Sequence, residues 1–328
     1  MLNDRIPVVD MPQGWQLGQA NFYITNDESI STSVNLMKVA GFSFVRNAIK
    51  FDYPIVEAIT SVLPLCDEFI VVVGQSDDDT VALIEGIPSD KIKLVRSVWD
   101  DNLREGGQVL AAETDKAMAA ISPDIDWAFY IQGDEVLHEK YLPVVRKAME
   151  IYLDDKRVEG LLFKYLHFYG AYQYVGDSRK WYRREIRVVR HTGHVVSYKD
   201  AQGFRTKDNK KLKVKLIDAW IYHYGWVKPI DKMQSKVGYF HRFWYTDVQM
   251  ETIKKEAITF DYESHIDSLV LFTDTHPATM RDRIDRSNLP FKFDTTRRNQ
   301  SLKLKFLALI EQLTGLRIGE YRNYEIIP

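Results

Sequence analysis

The stretch of sequence that decides the fold runs Phe69-Ile70-Val71-Val72-Val73-Gly74-Gln75-Ser76-Asp77-Asp78-Asp79-Thr80. Its first five residues are apolar and mostly β-branched, which is typical of a strand buried on both faces of a parallel sheet. A polar loop with three aspartates follows, and a helical pattern begins directly after it. A short buried strand that leads through a polar loop into a helix is the repeating unit of an α/β sheet.

The same alternation of strands and helices continues on both sides of this stretch. Strands are predicted at Phe42–Val45, Ile92–Val95 and Trp127–Ile131, and apolar residues at helical spacing fall between them. A further strand is predicted at Gly160–Phe168. This order indicates βαβ units and therefore an α/β, Rossmann-like fold with a mostly parallel central sheet.

The sequence changes character beyond residue 170, where short predicted strands and many aromatic residues replace the regular alternation. A helix is predicted from Lys232 to Phe243, and the chain then becomes mostly helical, most clearly at Leu302–Leu313. We therefore expect an N-terminal extension (1–34), a main α/β domain (35–245) and a mainly helical C-terminal region (246–328).

Bulk composition argues against several classes of protein. Of the 328 residues, 45% are hydrophobic and 27% are charged, as in a folded globular chain rather than a disordered one. The formal net charge is -2, so the basic excess of a nucleic-acid-binding protein is absent. The one cysteine, Cys66, allows no intrachain disulfide and no cysteine-based zinc site, and we expect it to be buried and inert.

The sequence also carries expectations about location. The first residues lack the apolar segment of a signal peptide, and the apolar runs are too short to span a bilayer. We therefore expect a cytoplasmic protein, with peripheral contact at the inner face of the membrane left open.

Carboxylates follow two of the predicted strands. Asp77, Asp78 and Asp79 follow one, and Asp134 and Glu135 follow another within Gln132-Gly133-Asp134-Glu135. Ligands of an open α/β sheet bind at the carboxyl ends of its strands, so both loops can face one cleft. The sequence has no Gly-rich phosphate loop. A nucleotide bound here would need a divalent cation between its phosphates and the carboxylates. The plainer interpretation of each loop is a helix-capping turn.

Three segments follow one another in this order: Arg46-Asn47 to Glu57, the stretch 69–80, and Ile131-Gln132-Gly133-Asp134-Glu135. On these segments, the sequence over about residues 35–245 resembles a family 2 (GT-A fold) glycosyltransferase. The resemblance implies a hexosyltransferase-type, inverting transfer from a nucleotide-diphosphate sugar to an acceptor hydroxyl, with Mn²⁺ or Mg²⁺. It also implies a saccharide or lipid-linked acceptor in surface polysaccharide synthesis. Two positions depart from the family: Gln132 replaces the first Asp of its Asp-x-Asp metal motif, and Gly74 stands where an Asp often contacts the base.

Roles for individual residues follow from this resemblance. Asp134 would bind the metal, Glu135 would support the metal or the sugar, and Asp78 would hold the base and ribose. His223, at the end of an apolar strand, is a second metal candidate, with a packed core histidine as the alternative. Asp200 is the candidate general base, with an ordinary turn aspartate as the alternative. The other donor-binding candidates are Arg46, Asn47, Glu57, Ser76, Gln132, Lys232 and Lys236.

Two other functions stay open at this stage. A sugar nucleotidyltransferase would normally carry a Gly-rich loop with Lys or Arg near its N-terminus, which this sequence lacks. A non-catalytic sugar- or nucleotide-binding module is kept open by Gln132, whereas Asp134, Asp200 and His223 argue against it. The C-terminal helix has three interpretations: docking on the main domain, a homodimer contact or an interfacial membrane helix, of which we favour the first two.

Overall fold

The computed structural model describes residues 37–328 except 101, 104, 242 and 244–259. The predicted N-terminal extension and the predicted boundary at 245/246 lie outside the described residues. The division into three regions therefore stays a proposal.

Four parallel strands form the Rossmann-like part of the sheet, in the order β3-β2-β1-β4. Their bounds are β1 (Val39–Val45), β2 (Glu68–Gly74), β3 (Ile92–Ser97) and β4 (Trp127–Tyr130). Helices α1 (Ile55–Val62), α2 (Thr80–Glu85) and α3 (Gln108–Ala119) follow the first three strands. The chain steps outward from β1 to β3 and then returns to the other side of β1, which creates a topological switch point between β1 and β4.

The second half of the sheet is mixed. Beyond β4 the order continues with β8, β6, β7 and β12 (Leu269–Leu271), each antiparallel to the strand before it, while β11 runs parallel to β6. The short strand β5 is antiparallel to β11. The bounds are β5 (Glu135–Leu137), α4 (Leu142–Ile151), β6 (Gly160–Tyr169), β7 (Ala171–Gly176), β8 (Arg184–Arg190), β11 (Leu212–Trp226) and α5 (Ile230–His241). Strands β9 (Val195–Tyr198) and β10 (Gly203–Thr206) form a separate hairpin.

The core confirms that β2 is buried on both faces. Val71 and Val73 pack on one face with α1 and α4, and Ile70 and Val72 pack on the other face with α3. The α/β fold with a Rossmann-like parallel half, as in GT-A proteins, is therefore confirmed. Cys66 is also buried as predicted, and burial raises the pKa of its thiol to about 12.

Asp52 lies three residues before α1 but does not cap this helix. The helix begins at Ile55 with Pro54 as its N-terminal flanking residue and no side-chain cap. Asp52 instead adopts φ 51° and pairs with Arg283 across 2.5 Å. A carboxylate three residues before a helix can either cap the helix or form an ion pair with a side chain far away in the sequence. Sequence spacing does not distinguish these two roles.

The described part of the C-terminal region, residues 260–328, contributes strands as well as helices. Helices α6 (Arg281–Asp285) and α7 (Leu302–Thr314) lie in it, together with β12 (Leu269–Leu271) and β13 (Tyr324–Ile326). Strand β12 pairs with β7 and β13 pairs with β11, so both extend the main sheet. Three-residue strands are too short to reveal a period of two in the sequence. Within the described residues, no helix has the length and apolar character needed to cross a membrane.

Candidate functional site

A cavity of about 210 Å³ opens beside the switch point between β1 and β4. Five of the predicted site residues line it: Arg46 after β1, Gln132 and Asp134 after β4, Asp200 after β9, and Lys236 on α5. Segments far apart in the chain thus meet where ligands of open α/β sheets bind.

Asp134 is the centre of charge in this cavity and is only 9% exposed. Its Oδ2 accepts a hydrogen bond from Nζ of Lys236 at 3.1 Å, and its Oδ1 lies 3.8 Å from Nε2 of His223. Burial alone would raise the pKa of Asp134, but neighbouring positive charge, chiefly that of Lys236, holds the pKa well below its ordinary value. Asp134 is therefore an ionised carboxylate with one oxygen still turned toward His223.

A glycine keeps space open between these groups. A Cβ atom at Gly225 would lie 2.6 Å from Nε2 of His223 and 2.7 Å from Oδ2 of Asp134, closer than real side-chain contacts allow. The amide of Tyr224 also donates to the carbonyl of Asp134 at 2.8 Å, so β11 holds the loop after β4 in position.

A hydrogen-bonded histidine pair fixes the proton positions on His223. Parallel pairing of β6 with β11 places His167 beside His223, with their Nδ1 atoms 3.1 Å apart. Nε2 of His167 lies 2.8 Å from the carbonyl of Tyr182, which can only accept, so this nitrogen carries a proton. Burial lowers the pKa of both imidazoles, which favours their neutral forms. Nδ1 of His167 is then an acceptor, and Nδ1 of His223 must donate to it.

The consequence is that Nε2 of His223 presents a lone pair toward Asp134. In this tautomer, Nε2 of His223 and Oδ1 of Asp134 are two acceptor atoms that lie 3.8 Å apart. Carboxylate oxygen and neutral imidazole nitrogen are both metal ligands. Asp134 and His223 are therefore the residues that would hold a divalent cation here.

A cation at this position would keep most of its coordination positions open. No group of three or more His, Cys, Asp or Glu side chains able to hold a metal occurs among the described residues. Divalent cations of the Mg²⁺ type bind proteins through one or two carboxylates and take phosphate oxygens at the remaining positions. The two-residue site suits a cation shared with an anionic ligand rather than a closed structural metal site.

Glu135 does not face the cavity, so its predicted contact with donor or metal needs correction. Its carboxylate is fully buried and receives two hydrogen bonds of 2.8 Å from the guanidinium of Arg187. The hydroxyl of Tyr165 donates to Oε1 at 2.8 Å, and the amide of Gln132 donates to Oε2 at 3.1 Å. Glu135 therefore holds the loop that carries Asp134 in place from the protein interior.

The buried pair leads to a stability prediction. Glu135→Gln should lower the free energy of unfolding by about 3–5 kcal/mol, because Arg187 would stay buried without its counter-charge. Urea denaturation measures this loss. Glu150→Gln, at an exposed pair with Arg146 on α4, is the control and should change stability by less than about 1 kcal/mol. Equally small losses of stability in both variants would show that the buried ion pair contributes no more to stability than an exposed one.

Three predicted donor-binding residues hold two loops together instead of lining the cavity. The amide of Asn47 donates to the hydroxyl of Ser76 at 3.0 Å, and the side-chain oxygen of Asn47 accepts from the amide of Asp77 at 2.7 Å. Both carboxylate oxygens of Asp78 accept backbone hydrogen bonds, from Lys50 at 2.7 Å and from Thr80 at 3.1 Å. These side chains position the loops after β1 and β2.

Two further candidates lie away from the cavity. Glu57, on α1, accepts a hydrogen bond of 2.7 Å from Nε of Arg283. Lys232 stands one helical turn before Lys236 on α5 and does not line the cavity. Arg46, in contrast, lines it and donates to the carbonyl of Gln75 at 2.7 Å.

Asp200 is held in a tight loop at the cavity wall. Its neighbours Lys199 and Ala201 both adopt positive φ, 55° and 62°, and burial raises the pKa of the Asp200 carboxyl. Nε2 of Gln132 donates to the carbonyl of Ala201 at 3.1 Å. The glutamine that replaces the first Asp of the family motif thus ties the Asp200 loop to the end of β4.

Sequence reasoning missed several residues at this site. Trp99 lines the cavity, and its ring lies 5.5 Å from the Arg46 guanidinium. A Cβ atom at Gly74 would lie 2.4 Å from Nε1 of Trp99, so Trp99 requires a glycine at position 74. This glycine, where the family often has an Asp, was the feature of the sequence that could have indicated Trp99. Lys228 is buried beneath Tyr53, donates to the carbonyl of Asp52 at 2.7 Å, and has its pKa lowered by burial to about 7.

Comparisons with known proteins locate similar folds only at low similarity. No family model matches the chain, and no curated protein sequence matches it. TarS 1–349 of Staphylococcus aureus in complex with UDP aligns at 21% identity and a TM-score of 0.30, covering 40% of this chain and 36% of that one. Glucosyl-3-phosphoglycerate synthase of Mycobacterium tuberculosis with Mn²⁺, UDP and glucosyl-3-phosphoglycerate aligns at 21% identity and a TM-score of 0.28, covering 41% and 46%.

A third solved structure covers more of the chain. 4-Diphosphocytidyl-2C-methyl-D-erythritol synthase of Anaerococcus prevotii aligns at 12% identity and a TM-score of 0.35, covering 63% of this chain and 96% of that one. This chain aligns with less than half the length of the TarS and phosphoglycerate synthase structures just described. At such TM-scores the likenesses carry no argument about chemistry, and the fold assignment rests on the strand order given above.

Proposed function

We propose that this chain is a glycosyltransferase that moves a sugar from a nucleotide-diphosphate sugar to an acceptor hydroxyl, with Mn²⁺ or Mg²⁺ and with inversion. The observation that carries the proposal is the position of Asp134, whose Oδ1 lies 3.8 Å from Nε2 of His223, while Asp134 itself lines the same cavity as Asp200. A non-catalytic binding module would not require a partly buried carboxyl group with a raised pKa at the cavity wall, which Asp200 supplies.

Several side chains would bind the donor. Asp134 and His223 would hold the cation, which supplies positive charge to the diphosphate and to the phosphate oxygen that leaves. The ammonium of Lys236, 3.1 Å from Asp134, adds a second positive charge beside that position. Arg46 and Trp99, stacked at the cavity wall, offer a flat surface to the nucleoside.

Asp200 would act as the general base. It would take the proton of the acceptor hydroxyl while the new bond to the anomeric carbon forms and the bond to the diphosphate breaks on the opposite face, which inverts the configuration. Its raised pKa suits this role because a base with a higher pKa accepts the proton more readily, provided that it is ionised at the working pH. Gln132 would keep Asp200 correctly placed relative to the donor, because its hydrogen bond joins the Asp200 loop to the end of β4, next to Asp134.

The finer assignments belong to the same proposal. They comprise the hexosyl nature of the sugar, a saccharide or lipid-linked acceptor, a role in surface polysaccharide synthesis, a cytoplasmic location, and a catalytic domain at about 35–245.

The test is a panel of nucleotide-diphosphate sugars incubated with the protein and Mn²⁺. We expect slow, metal-dependent release of nucleoside diphosphate from one donor, with water in place of the acceptor. Release of pyrophosphate from a nucleoside triphosphate and a sugar phosphate would instead identify a nucleotidyltransferase. If the protein neither cleaves nor binds any donor in the presence of the metal, the proposal fails.

The histidine pair gives a prediction that does not require turnover. His167→Phe should weaken Mn²⁺ binding by about 10–100-fold, because His223 loses the acceptor that holds its Nδ1 proton and its ring orientation. Titration of Mn²⁺ alone, followed by electron paramagnetic resonance, measures this change. His167→Asn, whose amide oxygen can accept the same proton, should restore part of the affinity.

His191→Phe is the matched control, since His191 is a partly buried histidine on a segment apart from the cavity. It should leave Mn²⁺ affinity unchanged. Identical Mn²⁺ affinity in His167→Phe and the unmodified protein would remove His167 from any positioning role.

A further inference from the structure

Helix α7 exposes its apolar side chains to solvent. Leu302, Phe306, Leu309 and Leu313 are 85%, 63%, 50% and 75% exposed, respectively. Their spacing of four, three and four residues puts them on one face of a helix. We name these four residues the α7 stripe. Within α7 no residue is fully buried.

The opposite face of α7 carries the half-buried Leu304 and Leu307 and the carboxylate of Glu311. Glu311 accepts a hydrogen bond of 3.0 Å from Arg183 and also pairs with Arg179 and Arg317. A surface helix usually packs its apolar stripe inward and turns its charges to water. Helix α7 instead turns four large apolar side chains to solvent, which indicates that the α7 stripe has a partner other than the described residues of this chain.

Two lysines flank the α7 stripe. At 100° per residue, Lys303 and Lys305 project on opposite sides of it, and both are exposed. The one carboxylate of the helix, Glu311, faces inward. Beyond the end of α7, Leu316 and Ile318 are also exposed, at 63% and 53%. The outward surface of α7 is therefore apolar along its middle and positive at its edges.

We propose that α7 lies on a lipid surface with anionic headgroups, with the α7 stripe inserted at the boundary of the acyl chains. Lysine side chains at the edge of such a helix lay their methylene groups along the apolar surface and extend the ammonium to the headgroups. This proposal is independent of the proposed function.

A lipid surface fits α7 better than a second copy of this chain does. Two copies of α7 stacked in parallel would bring the lysines together, and two antiparallel copies would leave each lysine unpaired, because neither helix has an outward carboxylate. A lipid surface supplies both requirements, because its acyl chains accept the apolar stripe and its anionic headgroups supply the counter-charge.

The test is flotation of the full chain with vesicles of phosphatidylcholine alone and with vesicles that also contain phosphatidylglycerol. We expect binding to the anionic vesicles, weaker binding to the neutral ones, and loss of the difference at high salt. The double variant Phe306→Ser with Leu309→Ser should lower binding to both vesicle types at least tenfold. Lys303→Gln and Lys305→Gln should each cost about fivefold on anionic vesicles alone.

Ile151→Ser is the matched control, since Ile151 is an apolar residue of α4 that is 58% exposed. It should leave flotation unchanged. All these positions are exposed, so thermal unfolding should not shift and the vesicle result can be interpreted directly. Absence of the unmodified protein from both floated fractions would overturn the proposal. So would a dimer, detected by sedimentation, that Phe306→Ser with Leu309→Ser converts to monomers.

Discussion

Asp134→Ala is expected to abolish cation-dependent binding of the donor. The substitution removes one of the two facing ligand atoms and leaves His223 alone to hold the cation. It also leaves the ammonium of Lys236 without its carboxylate partner. We expect Mn²⁺-dependent affinity for the nucleoside diphosphate to fall by at least about 100-fold, since loss of a supporting residue alone costs 10–100-fold. Isothermal titration calorimetry with and without Mn²⁺ measures the change.

The control for this variant is Asp77→Asn. Asp77 belongs to the other acidic loop, its side chain is 66% exposed in a pair with Lys50, and it does not line the cavity. It should keep the donor affinity of the unmodified protein. Unchanged affinity in Asp134→Ala would exclude Asp134 from the metal site, while equal losses in both variants would point to a general effect of negative charge.

Asp200→Asn is expected to spare donor binding and to lower the rate of transfer by about 10²–10⁴-fold. Asparagine keeps the shape of the side chain and tolerates the tight loop, but it cannot take a proton from the acceptor hydroxyl. The donor affinity should stay the same because the proposed ligands of the cation are Asp134 and His223. Calorimetry for donor affinity and a rate assay for transfer separate the two effects.

The pH dependence of turnover offers a second measure of the same residue. Burial raises the pKa of Asp200, and the base must be ionised to act, so turnover should fall as the pH drops through that raised pKa. The acidic limb should therefore lie at higher pH than for an ordinary exposed carboxylate, and it should disappear in Asp200→Asn. Normal turnover in the variant would mean that another group is the base.

Much of the fold was predictable because parallel strands have a strong local signature. The run Phe69–Val73 is apolar at every position, and such a run must be covered on both faces. The carboxyl ends of parallel strands meet at one edge of the sheet, so Arg46 and Asp134 could be expected in one cleft. Asp200 and Lys236 line the same cavity, although their elements lie outside the parallel half.

Other roles depend on directions and partners that a sequence does not contain. Asp134 and Glu135 are neighbours, but successive side chains at the start of β5 point to opposite faces, which sends one to the cavity and the other to the core. The pairs His167–His223 and Arg187–Glu135 join residues more than fifty positions apart. Their contacts follow from the register of β6, β8 and β11, which no local pattern reveals.

The measurement that tests the central claim most directly is a crystal structure of the protein soaked with Mn²⁺ and a nucleoside diphosphate, with anomalous scattering used to locate the manganese. Our account predicts one anomalous peak within coordination distance of both Asp134 Oδ1 and His223 Nε2, with diphosphate oxygens at its remaining positions and Asp200 across the cavity. A manganese held elsewhere, or a diphosphate bound by Lys236 with no cation beside Asp134, would contradict it.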